Sequence, residues 1–202
     1  METDPQSIPW RDRYRLLIGS IIPRPIGWVS TVGPDGVYNI APFSFFNAAC
    51  AAPMIVTFAP MRDSDTGNKK DTLRNVEATG EFVINIVTEP LLEAMDHTGQ
   101  DFAPDVDEFA AVGLTPVPAR VVRAPRIAEA PVHFECRVLH VLHFGDGHAG
   151  SGALVVGEVV HIHASDDVLE NGRVSAERLQ PVARMGGPHY ARPDLIAYDR
   201  KF

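Results

Sequence analysis

The sequence has no long uninterrupted hydrophobic segment and no cluster of positive charge. Its longest apolar stretch, residues 48–61, is broken by Pro53 and Pro60 and is shorter than the roughly 20 residues that a membrane-spanning helix needs. The formal net charge is −8 and the basic residues are scattered, so no broad positive surface is expected to attract nucleic acid. We therefore expect neither a membrane span nor a nucleic-acid partner.

Cysteine is also scarce, with only Cys50 and Cys136 and no CxxC spacing. This scarcity argues against a disulfide framework and suits a reducing compartment, so both thiols are expected to be apolar core residues. The first residues are acidic and lack the basic-then-apolar order of a signal peptide. These features together predict a cytoplasmic protein.

Proline and glycine are abundant, at 17 and 16 residues, and divide the chain into short segments rich in Val, Ile, Phe and Thr. This composition favours a mainly β fold. The predicted strands are residues 26–31, 37–41, 54–59, 81–87, 132–144 and 153–164.

Helical signals are fewer. Asp71 is predicted to cap a short helix over residues 72–79, and Thr88 to cap a second over residues 89–98. Residues 100–113 are acidic and without clear period, which predicts a surface loop. Because the sequence has no internal repeat or linker, residues 1–202 are expected to form one domain.

Residues 145–150 fit the pattern GxGxxG, which in a strand-to-helix turn would indicate a dinucleotide site. An apolar, β-branched segment follows instead of a helix. The glycines are therefore predicted to serve a turn between two antiparallel strands.

His161 and His163 lie on one face of a predicted strand, and His140 and His143 lie on its predicted neighbour. This pattern makes a metal site in a cupin-like barrel an alternative. However, His140 and His143 point to opposite faces, and the nearest acidic residues in sequence, 166 and 167, follow the end of the strand. Structural histidines are the favoured interpretation, and no metal ligand is predicted.

Three segments, residues 23–31, 39–47 and 68–72, share features that suit a planar, phosphorylated ligand. They offer aromatic and apolar walls, amide and hydroxyl groups, and a cationic helix start for a phosphate. The same phenylalanines could equally be core residues, and Lys69 and Lys70 could simply offset nearby acidic charge. Residue chemistry alone leaves both interpretations open.

In this order and spacing, the three segments resemble the flavin reductase-like family of FMN-binding split barrels. The ending Arg184-Met185-Gly186-Gly187-Pro188-His189-Tyr190 is similar to that of the family, so the resemblance covers about residues 18–190. It implies a mainly β fold, a six-stranded Greek-key split β-barrel with a few short helices. It also implies a homodimer with FMN bound near the subunit interface and reduced by NADH or NADPH.

The resemblance implies a set of cofactor-binding residues. Trp28, Val29 and Ser30 would line the isoalloxazine ring, with Arg24 in the same wall. The residues expected around the pyrimidine edge and the ribityl chain are Asn39, Ala41, Pro42, Ser44, Phe45 and Phe46. Lys70 and Thr72 would hold the phosphate.

No catalytic side chain is assigned by the sequence. His189 and Tyr190 are candidates for shaping the nicotinamide face, or for a C-terminal structural clamp. The expected function is NAD(P)H-dependent reduction of a flavin, or of an acceptor through bound FMN, with a monooxygenase as an acceptor of reduced flavin. The alternative is an FMN-binding electron carrier or sensor without nicotinamide turnover, which the missing dinucleotide fingerprint motivates.

Overall fold

The structure, a computed structural model, describes residues 2–198. Its strands are β1 Arg24–Pro25, β2 Gly27–Val32, β3 Tyr38–Phe43, β4 Phe46–Ala51, β5 Met54–Phe58, β6 Glu81–Ile86, β7 Pro116–Val117, β8 Arg126–Ile127, β9 Val132–Phe144, β10 Gly152–Ala164, β11 Leu169–Glu170, β12 Arg173–Val174, β13 Ala183–Arg184 and β14 Tyr190–Ala191. Its α-helices are α1 Trp10–Ser20, α2 Asp71–Thr79, α3 Leu92–His97, α4 Glu108–Val112 and α5 Ala176–Leu179. Short 3₁₀ helices span Pro5–Ser7, Glu89–Leu91 and Asp166–Val168.

The principal sheet is antiparallel and has seven strands in the order β3-β2-β6-β9-β10-β5-β4. All six predicted strands are present, so the mainly β class is confirmed. The seventh strand, β4, was not predicted because its sequence is rich in alanine and five of its six residues are exposed. The expected strand count of six is therefore one too low.

The sheet curls so strongly that β2 and β4, which are far apart in the strand order, come into contact. Phe46 of β4 lies directly on Gly27 of β2, where a Cβ atom would come within 2.8 Å of the phenyl ring. Inside the barrel, the ring of Phe58 lies 5.1 Å from that of Phe43 and 5.2 Å from that of Phe82. Because these rings come from β3, β5 and β6, one apolar core unites the strands of a split barrel.

Three helices gather around β3, where α2, α3 and α4 pack against it. The predicted helix at residues 72–79 is confirmed as α2, but its N-cap residue is Lys70, and the Asp71 carboxylate pairs with Arg74 rather than capping. The predicted surface loop is wrong in part, because residues 108–112 form α4 and bury Phe109 completely.

Two further expectations need correction. Helix α1 was not predicted; none of its residues is buried, and several of its apolar side chains line the cleft described below. Cys50 is exposed on β4, whereas Cys136 is buried in the barrel core as expected. Within residues 2–198, no helix combines the length and the apolarity that crossing a membrane requires.

Candidate functional site

A cavity of about 230 Å³ opens where β3 ends. Its wall combines β3 and the residues after it, the start of α2, the segment that follows α3, and α4. The lining residues are Tyr14, Asn39, Ala41, Pro42, Phe43, Ser44, Phe45, Ala59, Met61, Lys70, Asp71, Thr72, Thr98, Gly99, Gln100, Asp101, Phe102 and Glu108.

The start of α2 gives this cavity a positive end. The backbone N–H groups of Asp71 and Thr72 donate to no acceptor within residues 2–198. Lys70 lines the cavity beside them, and its Nζ lies 3.1 Å from the exposed Asp101 carboxylate. Unpaired N–H groups at a helix start, together with a lysine, favour an anion such as a phosphate.

The side chain of Asn39 holds the cavity wall together. Its Oδ1 accepts hydrogen bonds from the hydroxyls of Thr72 at 2.8 Å and Thr31 at 3.2 Å. Its Nδ2 donates to Glu108 Oε1 at 2.8 Å. Asn39 is buried, so these contacts fix β3, α2 and α4 relative to one another.

Glu108 is a cavity residue that sequence reasoning missed. Its carboxyl group is buried, and its Oε2 accepts a hydrogen bond from the Ile40 N–H at 2.6 Å. Burial raises the pKa of Glu108 to about 7, although its two hydrogen bonds oppose the shift. The signal in the sequence was local: Asp107 caps the helix start and Gly113 ends it in a left-handed conformation.

A larger, mainly apolar cleft of about 1240 Å³ adjoins the cavity. The two share Tyr14, Phe45, Ala59 and Met61, so they form one continuous concave surface. Other parts of the cleft wall come from α1, from the end of β9 at Phe144, and from the loop and the start of β10 that follow it. The whole surface is thus charged at one end and apolar at the other.

Seven of the predicted cofactor residues meet in the cavity. They are Asn39, Ala41, Pro42, Ser44, Phe45, Lys70 and Thr72. The segments around β3 and the start of α2, which are far apart in sequence, are therefore brought together as expected.

The other five predicted residues do not line the cavity. Trp28, Val29 and Ser30 are fully buried, since strand β2 lies between β3 and β6 and is covered on both faces. Trp28 lies behind the wall: its indole Nε1 donates to Thr98 at 2.9 Å, and it pairs with Pro42 across the strands. The ring of Phe46 packs against Gly27 and does not line the cavity.

Arg24 is a buried structural residue. Its guanidinium donates to the carbonyl oxygens of Ile18 at 2.6 Å and Ile21 at 2.8 Å, and to the Ser44 hydroxyl at 3.2 Å. It thereby fixes the end of α1 against the chain that follows β3. Its effect on the cavity passes through Ser44, which is a lining residue.

His189 and Tyr190 also lie outside the cavity lining. The Tyr190 hydroxyl donates to Asp96 Oδ1 at 2.5 Å and accepts from Arg184. Burial and the Asp96 contact raise the pKa of Tyr190 to about 12. This position favours the structural clamp, while His189 is exposed and contacts the Gly186 carbonyl at 3.3 Å.

A sequence profile described as the flavin reductase like domain matches residues 18–198. The chain belongs to the flavin reductase-like family. It is 43% identical over 180 residues to a protein of Aquifex aeolicus described as uncharacterized, with 89% of each chain covered. The family and its split-barrel fold therefore extend over almost the whole chain.

Solved structures agree with the family. Nitrilotriacetate monooxygenase component B from Bacillus cereus is 34% identical, with a TM-score of 0.92 and 98% of both chains covered. The 2-nitrobenzoate 2-nitroreductase NbaA from Pseudomonas fluorescens is 30% identical, with a TM-score of 0.87, covering all of this chain and 98% of that one. Membership of a flavin-binding family with such relatives supports an oxidoreductase role.

The buried Glu108 generates a pH prediction. An unfolded Glu titrates near pH 4.3, whereas the folded pKa is about 7, so between these values the folded chain keeps a proton that the unfolded chain has released. The stability contribution of this group is therefore full below about pH 4.3 and is lost as pH rises to about 7.

Urea unfolding from pH 5 to 8 measures this effect. Glu108→Gln should remove the part of the downward slope between pH 5 and 7 that this carboxyl produces. Glu93→Gln, on the exposed face of α3, changes the charge equally and is the control. Equal slopes in wild type and Glu108→Gln would contradict the prediction.

Proposed function

We propose that this chain is an NAD(P)H-dependent flavin oxidoreductase that binds FMN in the cavity beside β3. The observation that carries the proposal is the start of α2, where two unpaired N–H groups and Lys70 meet in the wall of a cavity that continues into an apolar cleft. A phosphorylated, amphipathic ligand needs this combination of groups.

The residues present fit FMN in one orientation. The phosphate would lie at Lys70 and the N–H groups of Asp71 and Thr72, because these are the groups that favour an anion there. The cavity of about 230 Å³ is smaller than the roughly 300–1,000 Å³ typical of a site for a whole ligand. The ring system would therefore reach past Phe45, Ala59 and Met61 into the apolar cleft.

The charge at the start of α2 suits a single phosphate. Lys70 and the helix start supply the positive charge, whereas Asp71, Asp101 and Glu108 lie in the same lining. Asp71 is paired with Arg74, and a phosphate would compete with Asp101 for Lys70. A raised pKa keeps part of the Glu108 population neutral near pH 7, which limits its repulsion of a phosphate. Ala59 offers no hydroxyl to the cavity, so phosphate binding depends mainly on the start of α2.

A bound flavin would supply the two-electron chemistry, and the protein would supply binding, orientation and exclusion of water. The apolar cleft is the part of the surface where a nicotinamide ring would meet the flavin. It is lined by Trp10, Leu17 and Phe144, among other apolar residues. Residues 145–150, which fit the pattern GxGxxG, connect two antiparallel strands and do not open a helix. In this proposal they are part of the cleft wall and not a dinucleotide-binding turn.

A second copy of this chain would pack along the rim of the cleft and leave an entrance for the nicotinamide. Five large apolar residues are exposed in this region: Leu16, Leu17 and Ile21 in and just after α1, and Leu142 and Phe144 in β9. Of these, Leu16, Leu17 and Phe144 line the cleft. We propose that these surfaces form the interface of a homodimer, since apolar patches of this kind mark protein contacts. Light scattering should give twice the chain mass of 22.0 kDa, and a monomer would contradict the interface.

Lys70→Ala should weaken FMN binding roughly tenfold to a hundredfold. A hydrogen bond to a charged group contributes about 1.5–3 kcal/mol, and each 1.4 kcal/mol changes affinity tenfold. Lys69→Ala is the matched control, because Lys69 pairs with Glu77 at 2.6 Å and does not line the cavity. Fluorescence titration with FMN measures both variants.

Riboflavin, which lacks the phosphate, provides the decisive comparison. Its affinity should hardly change in Lys70→Ala. Equal losses of FMN and riboflavin binding would place the phosphate elsewhere, and an equal loss of FMN binding in Lys69→Ala would indicate a nonspecific effect of charge.

The reaction itself is tested by following FMN absorbance and NAD(P)H consumption together. FMN in the presence of the protein should be reduced by NADH or NADPH faster than free FMN. Continued turnover with FMN in large excess would show that reduced flavin leaves, as supply to a monooxygenase requires; the relative named monooxygenase component B motivates this partner class. No rate above that of free FMN would contradict the proposal and favour an electron carrier or sensor.

A further inference from the structure

The long strands β9 and β10 bring four residues with metal-binding side chains together on one face. In the register of the pair, His161 lies opposite Glu135 and His163 lies opposite His133. A β-bulge between Val159 and His161 shifts this register, and bulges commonly re-aim side chains at functional sites. None of the four residues lines the flavin cavity or the apolar cleft.

We propose that Glu135, His161 and His163 bind one divalent transition-metal ion of the zinc type. One ligand atom from each residue lies within 4.8 Å of the other two. Zinc bonds of about 2.0–2.2 Å put tetrahedral neighbours roughly 3.4 Å apart. Small side-chain rotations therefore suffice, since His163 Nε2 is already 2.6 Å from Glu135 Oε1 and the His161 and His163 rings are 4.7 Å apart.

The surroundings of Glu135 orient its carboxylate as an outer shell orients a metal ligand. The backbone N–H groups of Arg120 and Val121 donate to its two oxygens, each at 2.7 Å. Oε2 keeps a further lone pair for a cation, whereas the second lone pair of Oε1 faces His163 Nε2 and becomes available when that imidazole turns its own lone pair to the metal. A metal bound to Glu135 would therefore be connected, through these two hydrogen bonds, to the segment that contains Arg120 and Val121.

His133 is a neighbour of the cluster but not one of the three proposed ligands, with its ring 5.9 Å from that of His163. His133 Nε2 contacts the Ile127 carbonyl oxygen at 2.8 Å, which requires a proton on Nε2 and leaves the lone pair of the neutral ring on Nδ1. This Nδ1 is the buried side-chain nitrogen or oxygen within residues 2–198 that lacks a hydrogen-bond partner. A neutral His133 leaves this face of the strand pair without a second positive charge that would compete with a metal ion.

The donor set selects the kind of ion. Two imidazole nitrogens and one carboxylate oxygen suit zinc and similar ions, whereas magnesium prefers oxygen ligands alone. The site is accessible, because the His163 side chain is 24% exposed although Glu135 is fully buried. The acidic ligand comes from the neighbouring strand rather than from residues 166 and 167, which are its nearest acidic neighbours in sequence.

The test is calorimetric titration of zinc chloride into the FMN-loaded full chain after treatment with a chelator. Wild type should bind one zinc ion per chain, with no comparable binding of magnesium chloride. Thermal unfolding should shift upward by roughly 5–10 °C when zinc exceeds its Kd a hundredfold. FMN affinity should stay unchanged, so this test is separate from that of the proposed function.

His161→Ala is the informative variant, because His161 makes no side-chain hydrogen bond within residues 2–198 and its loss leaves the contacts of Glu135 intact. It should weaken zinc binding at least roughly tenfold. His140→Ala, at an exposed position of β9, is the control, and His161→Gln repeats the test with a side chain of similar size. No stoichiometric zinc binding by wild type, or equal binding by His161→Ala and His140→Ala, would overturn the proposal.

Discussion

The buried amide of Asn39 is the contact on which the candidate site depends. Barrel strand β3 carries it, and its hydrogen bonds reach Thr72 at the start of α2 and Glu108 in α4. These bonds add to the apolar packing of Leu73 and Val76 on the barrel core, and they set the position of the helix start relative to β3. Because a buried amide that loses a partner costs about 1–3 kcal/mol, the position of the proposed phosphate site is coupled to the stability of the fold.

The same network brings a positive helix start and a buried carboxyl group into one small cavity. Burial favours the neutral form of Glu108 and raises its pKa to about 7. Near neutral pH the Lys70 ammonium group and the unpaired N–H groups thus face a partly neutral Glu108, while Asp71 pairs with Arg74 and Asp101 pairs with Lys70. The apolar cleft beyond Phe45 and Met61 completes a surface on which one end of a ligand is held by charge and the other by apolar contact.

The sequence predicted the strands well and the site in part. The alternation of apolar and polar residues predicted β9 with its exact bounds, because the pattern continues over all 13 residues. The alanine-rich edge strand β4 has no such alternation. Residue types also indicated Asn39, Lys70 and Thr72 through family resemblance. They could not show that Trp28 is covered on both faces, or that Glu108 folds back onto β3, because both depend on contacts between residues about 70 positions apart.

The proposed function depends on the start of α2 holding the phosphate of FMN. A crystal structure of the FMN complex tests it most directly. We expect phosphate oxygens within hydrogen-bond distance of the backbone N–H groups of Asp71 and Thr72 and of Lys70 Nζ, with the ring system beside Phe45 and Met61. A phosphate bound away from α2, or a flavin outside both the cavity and the cleft, would contradict it.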